Sequence, residues 1–150
     1  MSQSLTQLYV HIVFSTKHRE HFITPEIQPE LFNYMGGILN NIECTPIQIG
    51  GITDHVHILC SLSKKITTIK LLEELKRSTS KWVKTKGEAY SKFYWQDGYG
   101  AFSVGYTQIQ DVIQYVKKQK EHHLKITFQD EYRSFLNKYQ IPYDKRYIWD

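Results

Sequence analysis

The sequence predicts an α+β fold in which helices cover one antiparallel sheet. Two periodicities alternate along the 150 residues: side chains alternating at period 2 predict strands, and apolar residues at every third or fourth position predict helices. The predicted order is β-α-β-β-α-β followed by further helices, which is the order of a ferredoxin-like antiparallel sheet. No repeat or long linker interrupts the chain, so we expect residues 1–150 to form a single domain.

The first half of the chain contains three predicted strands and one helix. The helix has a start signal at Thr24 and Pro25, because threonine caps helix N-termini and proline is favoured in the first helical position. The second and third strands are joined by a short turn and are therefore expected to be antiparallel. The predicted bounds are residues 5–15, 47–52 and 55–62 for the strands and 25–41 for the helix.

The second half begins with a helix capped by Thr67 or Thr68, for which Gly87 is the predicted C-cap. Two short strands then flank a glycine-rich turn, and two more helices follow. The predicted bounds are residues 68–86, 108–122 and 131–139 for the helices and 93–95 and 101–104 for the strands.

Composition limits the function classes. Hydrophobic residues make up 41% of the chain, and no apolar run has the length of a membrane span, so we expect no membrane segment. The N-terminus lacks a signal-peptide pattern, and Cys44 and Cys60 do not form a CxxC pair, which together predict a cytoplasmic protein with reduced thiols. A net charge of +4 with 11 tyrosines is compatible with binding to single-stranded nucleic acid.

The third predicted strand carries the most informative motif, DHVHIL, at residues 54–59. Period 2 places His55 and His57 on the same face, where two neutral imidazoles can hold a divalent metal ion. Asp54 either caps the preceding turn, which we favour, or orients a histidine ligand. His11 is predicted to be a packed histidine, and His123 a loop residue in polar surroundings.

Basic residues form two candidate nucleic-acid contacts. At about 100° per residue, four cations of the second helix fall within about 60° of one another. An ordinary solvated helix face, partly neutralised by Glu73 and Glu74, explains this stripe equally well. A smaller basic cluster follows the first strand. The candidate DNA-binding residues are Lys17, Arg19, Lys70, Arg77, Lys81 and Lys84.

The third helix offers a candidate nucleophile. Tyr115 lies about 110° from the centre of that helix's apolar stripe, and Gln119 lies one turn further along the same flank. His122 shares this flank and is a second-choice metal or phosphate contact. A half-exposed tyrosine on an amphipathic helix has the same pattern, so only the histidine strand gives Tyr115 a catalytic interpretation.

Taken in order, these motifs resemble the single-domain tyrosine transposases of the HUH endonuclease superfamily. The resemblance rests on LYVHIVFSTKHRE at residues 8–20, DHVHIL, the basic helix, FYWQDGY at residues 93–99, and Tyr115 followed by Gln119. It implies that His55, His57 and Gln119 bind Mg²⁺ or Mn²⁺ and that Tyr115 is the nucleophile. The implied reaction is cleavage and rejoining of single-stranded DNA at hairpin-marked ends through a 5′-phosphotyrosine.

The resemblance also implies a homodimer, in which Tyr115 acts in its own subunit or across the dimer, and no nucleotide cofactor. It is weakest over residues 124–150, whose aromatic residues could form a helix, support a dimer or contact DNA. Two other functions remain compatible with the residues. One is a non-catalytic nucleic-acid-binding module, and the other is a phosphoesterase that uses water, although a 2H enzyme would need a second histidine motif.

Overall fold

The computed structural model describes residues 2–150. Four strands and five helices appear in the predicted order β-α-β-β-α-β, with three helices after the last strand. They are β1 (Tyr9–Ser15), α1 (Gln28–Asn41), β2 (Pro46–Gly51), β3 (His55–Ser61), α2 (Thr68–Lys84), β4 (Gly100–Val104), α3 (Ile109–Lys117), α4 (Gln119–His122) and α5 (Phe128–Lys138).

The four strands form one sheet in the order β2-β3-β1-β4, and every neighbouring pair is antiparallel. This arrangement confirms the predicted α+β fold and the antiparallel pairing of β2 with β3. The predicted strand at residues 93–95 is wrong, because only Trp95 forms a bridge there, to Thr16. The Trp95 side chain instead enters the core, where its indole N–H donates to Thr79 Oγ1 at 2.8 Å.

Alternation along the central strands gives the sheet two different faces. On one face, side chains such as Ile12 and Ile58 pack against α1 and α2 and form the main hydrophobic core. On the other face, Val13 packs against Phe128 and Leu136 of α5 in a smaller aromatic-rich core. The C-terminal residues therefore form a helix that covers the second face of the sheet.

Several predicted helix boundaries need correction. The first helix begins at Gln28 with Ile27 as its N-cap, so Thr24 and Pro25 do not start it. The predicted helix over residues 108–122 breaks at Lys118, which has φ −97° and ψ 23° and separates α3 from α4. The last helix begins at Phe128 rather than at 131, because Thr127 caps it by accepting a hydrogen bond from the Asp130 amide. Gly87 is not the C-cap of α2, which ends at Lys84 with Thr85 in that position.

The glycine at position 50 allows α3 to approach the sheet closely. A Cβ atom at Gly50 would lie only 2.5 Å from the backbone carbonyl oxygen of Val116. Only a residue without a side chain permits this distance between β2 and α3. Because Tyr115 precedes Val116, the same contact fixes the height of Tyr115 above the sheet.

The turn between residues 96 and 99 is held in place by Lys76 of α2. The Lys76 ammonium group donates to the carbonyl oxygens of Gln96, Asp97 and Gly98 at 2.8, 3.1 and 2.7 Å. The Gly98 amide also donates to the carbonyl of Asp150. These bonds make the turn a fixed part of the fold. Across residues 2–150, every helix is too short or too polar to span a bilayer.

Candidate active site

The paired histidines lie at the centre of the sheet, on the face covered by α3, α4 and α5. His55 and His57 belong to β3, are fully buried, and have ring centroids 5.1 Å apart. The prediction that period 2 would bring both imidazoles to one face is confirmed. Burial lowers the pKa of His57 to about 4, so its ring is neutral near pH 7 and one ring nitrogen keeps a free lone pair.

Each of these rings is held by a partner on its Nδ1 side. His55 Nδ1 lies 2.7 Å from Asp54 Oδ1, and His57 Nδ1 lies 2.8 Å from His11 Nε2. Although burial raises it, the pKa of Asp54 is held below its usual value by the hydrogen bond from His55. The favoured prediction that Asp54 merely caps the turn is therefore wrong, because its carboxylate orients a site histidine. His11 is packed and buried as predicted, in contact with His57.

Tyr115 reaches this site from α3 of the same chain. Its ring centroid lies 5.7 Å from that of His57. Its hydroxyl donates a short hydrogen bond to Glu131 Oε2 and lies 3.2 Å from His122 Nε2. Burial and the neighbouring Glu131 carboxylate raise the pKa of Tyr115, so the phenol keeps its proton until a base removes it.

Gln119 is also brought to the histidines, although the helix breaks immediately before it. Its side chain is 1% exposed, and Oε1 lies 3.1 Å from His55 Nε2. Its Nε2 donates to the carbonyl oxygen of Tyr115 at 3.2 Å, which orients the amide so that the oxygen faces the histidines. The structure therefore places Tyr115 and Gln119 together beside the paired histidines.

Two further residues of the site were not predicted. His123 lies in a turn, as expected, but its side chain is 5% exposed, and its Nε2 is 3.0 Å from Glu131 Oε1. Glu131 of α5 is 1% exposed, and its Oε1 also lies 3.0 Å from His57 Nε2. His123 is therefore a turn residue with polar neighbours, as expected, but its ring belongs to the buried cluster, and the C-terminal helix contributes a buried carboxylate.

The pattern that could have revealed Glu131 lies within α5. Phe128, Tyr132 and Phe135 form the apolar stripe of this helix, and Glu131 lies between them at positions i+3 and i−4. A carboxylate within an apolar stripe is buried when the helix packs and therefore needs a charged or hydrogen-bonded partner. Three histidines provide that environment and hold the pKa of Glu131 far below its usual value despite its burial.

The cluster has the donor atoms and spacing of a divalent metal site. His55 donates from Nδ1 to Asp54, and His123 donates from Nδ1 to the Ile126 carbonyl at 2.8 Å, so in the neutral form of each ring the Nε2 lone pair faces the cluster. There His55 Nε2 lies 3.1 Å from the Gln119 oxygen, and with a neutral His55 ring these two acceptors would repel each other unless one cation bound both.

The carboxylate completes this ligand set. Donor atoms of His55, His57, His123 and Glu131 all lie within 4.8 Å of one another, close to the limit of about 4.4 Å for two ligands bound to one ion at about 2.2 Å. Mixed nitrogen and oxygen ligands suit Mn²⁺ or Zn²⁺ by bonding preference, whereas Mg²⁺ favours oxygen ligands alone. The residues present therefore fit a divalent metal ion.

The predicted basic stripe lies away from this cluster. Leu72 and Leu75 of α2 pack into the main core, so α2 lies on the face of the sheet opposite the histidines. Within the stripe, Lys70 lies 3.3 Å from Glu73, and Arg77 lies 2.7 Å from Glu74. The remaining two cations, Lys81 and Lys84, occupy the last turns of the helix.

Comparison with known proteins identifies the family. The model of the IS200-like transposase family matches residues 4–119. The chain belongs to this family. A transposase function, in which DNA is cleaved and transferred, follows from that membership. Comparison with curated proteins gave no significant match.

Solved structures share the fold of this transposase-family chain. A candidate transposase from Deinococcus radiodurans R1 has a TM-score of 0.62 at 17% identity, covering 79% of this chain and 98% of that one. A REP-associated tyrosine transposase bound to a REP hairpin has a TM-score of 0.59 at 12% identity, covering 82% of this chain and 74% of that one. The family match ends at Gln119, so His123 and Glu131 lie beyond it.

Proposed function

We propose that the protein is a metal-dependent transesterase that cleaves and rejoins single-stranded DNA through a 5′-phosphotyrosine on Tyr115. One observation carries this proposal: the Tyr115 hydroxyl hydrogen-bonds to one oxygen of Glu131, while the other oxygen of Glu131 belongs to the cluster of converging ligand atoms. A phenol at this position lies beside any phosphate that the cluster attracts. Membership of a transposase family supports the same reaction.

The metal ligands in this proposal are three histidines, one carboxylate and one amide, which extend the set implied by sequence. Each histidine presents Nε2, and the amide and the carboxylate each present Oε1. When bound, Mg²⁺ or Mn²⁺ supplies positive charge that polarises a phosphate and stabilises the departing oxygen. The ligands are His55, His57, Gln119, His123 and Glu131.

Tyr115 then attacks the scissile phosphorus atom through its phenolic oxygen. The Tyr115 oxygen–phosphorus bond forms as the bond from phosphorus to the 3′ oxygen breaks, which leaves a 5′-phosphotyrosine and a strand ending in 3′-OH. Glu131 Oε2 and His122 Nε2 both lie beside the phenol, so they can accept its proton and return one to the leaving oxygen. Attack by another 3′-OH reverses the step and joins strands without an external energy source.

All of these groups belong to one chain, which supports attack by Tyr115 in its own subunit. Glu131 ties the tyrosine to the cluster within the same molecule. A homodimer, which the sequence resemblance implies, would therefore serve DNA binding or strand exchange and would not be needed to supply the nucleophile. The related structure bound to a REP hairpin supports a hairpin-bearing strand as the substrate.

The test is covalent trapping of DNA. Single-stranded oligonucleotides containing palindromes from the DNA flanking the coding region are labelled at the 5′ or 3′ end and incubated with Mn²⁺. Attack as proposed transfers only the 3′-end label to protein on a denaturing gel, and Tyr115→Phe abolishes the adduct. Tyr106→Phe, at an exposed tyrosine just before α3, is the matched control and keeps full activity.

Other outcomes would replace the proposal. Hairpin binding without an adduct in Mg²⁺, Mn²⁺ or Zn²⁺ would identify a non-catalytic binding module. Cleavage that survives Tyr115→Phe would identify water as the nucleophile. His55→Ala and His57→Ala should abolish cleavage while hairpin binding persists, because the buried pair serves the metal rather than the DNA surface.

A further inference from the structure

Beside the cluster of histidines and Glu131 lies a cavity of about 640 Å³ that the proposed chemistry does not use. Its walls come from the segment after β1, the turn before β3 and the connection from α4 to α5. It shares a wall with the cluster, because both Asp54, which orients His55, and His123 line it. A strand whose scissile phosphate lies at the cluster can therefore extend directly into this cavity.

We propose that this cavity binds the phosphate group next to the scissile phosphate, with Arg19 as its main cation. This inference rests on the proposed DNA-cleaving function and adds a second anchoring point for the strand. It gives Arg19 a position beside the cleavage site, whereas the sequence suggested only a general DNA contact. The ligand is a phosphodiester of single-stranded DNA.

The charges lining the cavity favour an anion. Arg19, Lys125, His18 and His21 all line it, and arginine keeps its charge at every accessible pH. Asp54 is its one acidic lining residue, and the Asp54 carboxylate is already hydrogen-bonded to a histidine. The cavity therefore offers several donors and little competing negative charge.

Arg19 is held in place but lacks a polar partner. Its guanidinium carbon lies 5.5 Å from the centre of the Trp149 ring. Its Nη1 is buried without a hydrogen-bond partner, and among residues 2–150 Arg19 joins no ion pair. A buried guanidinium N–H without an acceptor is unfavourable, and a shift of the Arg19 side chain toward the cavity would let a phosphate oxygen satisfy it with a charge-assisted bond.

The backbone that carries Arg19 is itself unusual. His18 and Arg19 both have φ of 57°, a left-handed conformation that costs a residue with a Cβ about 1 kcal/mol. Surrounding bonds hold this shape, including Thr16 N to the Asp54 carbonyl at 2.8 Å and Lys17 N to the Tyr94 carbonyl at 2.7 Å. The fold thus maintains a strained segment that places Arg19 at the cavity.

The test compares two arginines that contact the same ring. Arg133 lies 5.1 Å from the centre of the Trp149 ring, pairs with Asp130, and lines a different cavity. We would measure binding of fluorescein-labelled dT20 by anisotropy over a range of KCl concentrations, with EDTA present and Tyr115→Phe as background. These conditions separate binding from cleavage and from metal loading.

We expect Arg19→Gln to weaken binding about five- to tenfold at low salt and to reduce the slope of log K against log [KCl] by about 0.7, the value for one lost contact to a single strand. Arg133→Gln should leave both quantities unchanged. Arg19→Lys keeps the positive charge and should retain the slope, and thermal melting checks that each variant folds.

Two results would overturn the proposal: an unchanged slope in Arg19→Gln, or an equal loss in Arg133→Gln. Failure of the DNA-cleaving function would look different. The slope would then fall in Arg19→Gln while no adduct forms in any protein with intact Tyr115. Conversely, normal adduct formation with an unchanged slope would reject only the phosphate site.

Discussion

Replacing Glu131 with glutamine tests the role of the C-terminal helix most sharply. The substitution keeps the side-chain volume but removes the charge whose oxygen lies 3.0 Å from Nε2 of both His57 and His123. Loss of a residue that only supports a metal ligand lowers metal affinity about 10- to 100-fold. Loss of a carboxylate that binds the ion directly should lower the affinity at least as much. We therefore expect Glu131→Gln to weaken Mn²⁺ binding about 100-fold.

That loss has a measurable effect on stability. At saturating metal, a 100-fold change in affinity removes about 2.7 kcal/mol of metal-dependent stabilisation. For a domain of this size, we expect the Mn²⁺-induced rise in Tm to shrink by about 5–10 °C. Calorimetric titration and thermal melting with and without Mn²⁺ measure both quantities. Glu121→Gln, at an exposed position of α4, is the matched control. Unchanged Mn²⁺ affinity in Glu131→Gln would refute the assignment of Glu131 as a ligand.

Three further predictions follow from the packing around the site. Gly50→Ala should lower the rate of DNA cleavage at least about tenfold, because the added Cβ pushes α3 and Tyr115 away from the sheet. Gly37 has open space around it, so Gly37→Ala should leave the cleavage rate unchanged. Equal rates in the two variants would contradict this prediction. In EDTA, the free energy of unfolding should fall as pH drops below about 6.5. Burial lowers the pKa of His11 to about 3 and of His57 to about 4, so in this range the unfolded chain binds more protons than the folded one. Urea titrations should show a flatter pH dependence of stability in His11→Phe, and an unchanged pH dependence would argue against the buried neutral pair. Lys76→Met should speed hydrogen exchange in the turn held by its ammonium group, and exchange rates like those of the wild type would contradict that anchoring.

Local patterns in the sequence were enough to predict most of the sheet and the site residues His55, His57, Tyr115 and Gln119. Alternation at period 2 identified β3 and the shared face of His55 and His57. Helical spacing predicted that Tyr115 and Gln119 lie on one flank. The two residues stay together despite the helix break at Lys118, because the Gln119 side-chain amide donates a hydrogen bond to the Tyr115 carbonyl oxygen. These contacts are set by neighbours within a few residues, which a single sequence records directly.

Contacts made by distant elements could not be predicted in the same way. Glu131 meets His57 across 74 residues, and no spacing rule links a C-terminal helix to a central strand. The separate strand predicted at residues 93–95 failed because Trp95 satisfies its indole N–H in the core rather than extending a ladder. Burial against other elements, rather than local propensity, decided both cases.

Mapping the covalent DNA adduct would show whether Tyr115 is the residue that attacks the DNA. After reaction with palindrome-containing single-stranded DNA and Mn²⁺, nuclease and trypsin digestion would leave a nucleotide on the attacking side chain for fragment-ion mass spectrometry. We expect one modified tyrosine, Tyr115, in wild-type protein and none in the Tyr115→Phe variant. An adduct on another residue, or cleavage with no protein-linked nucleotide, would contradict it.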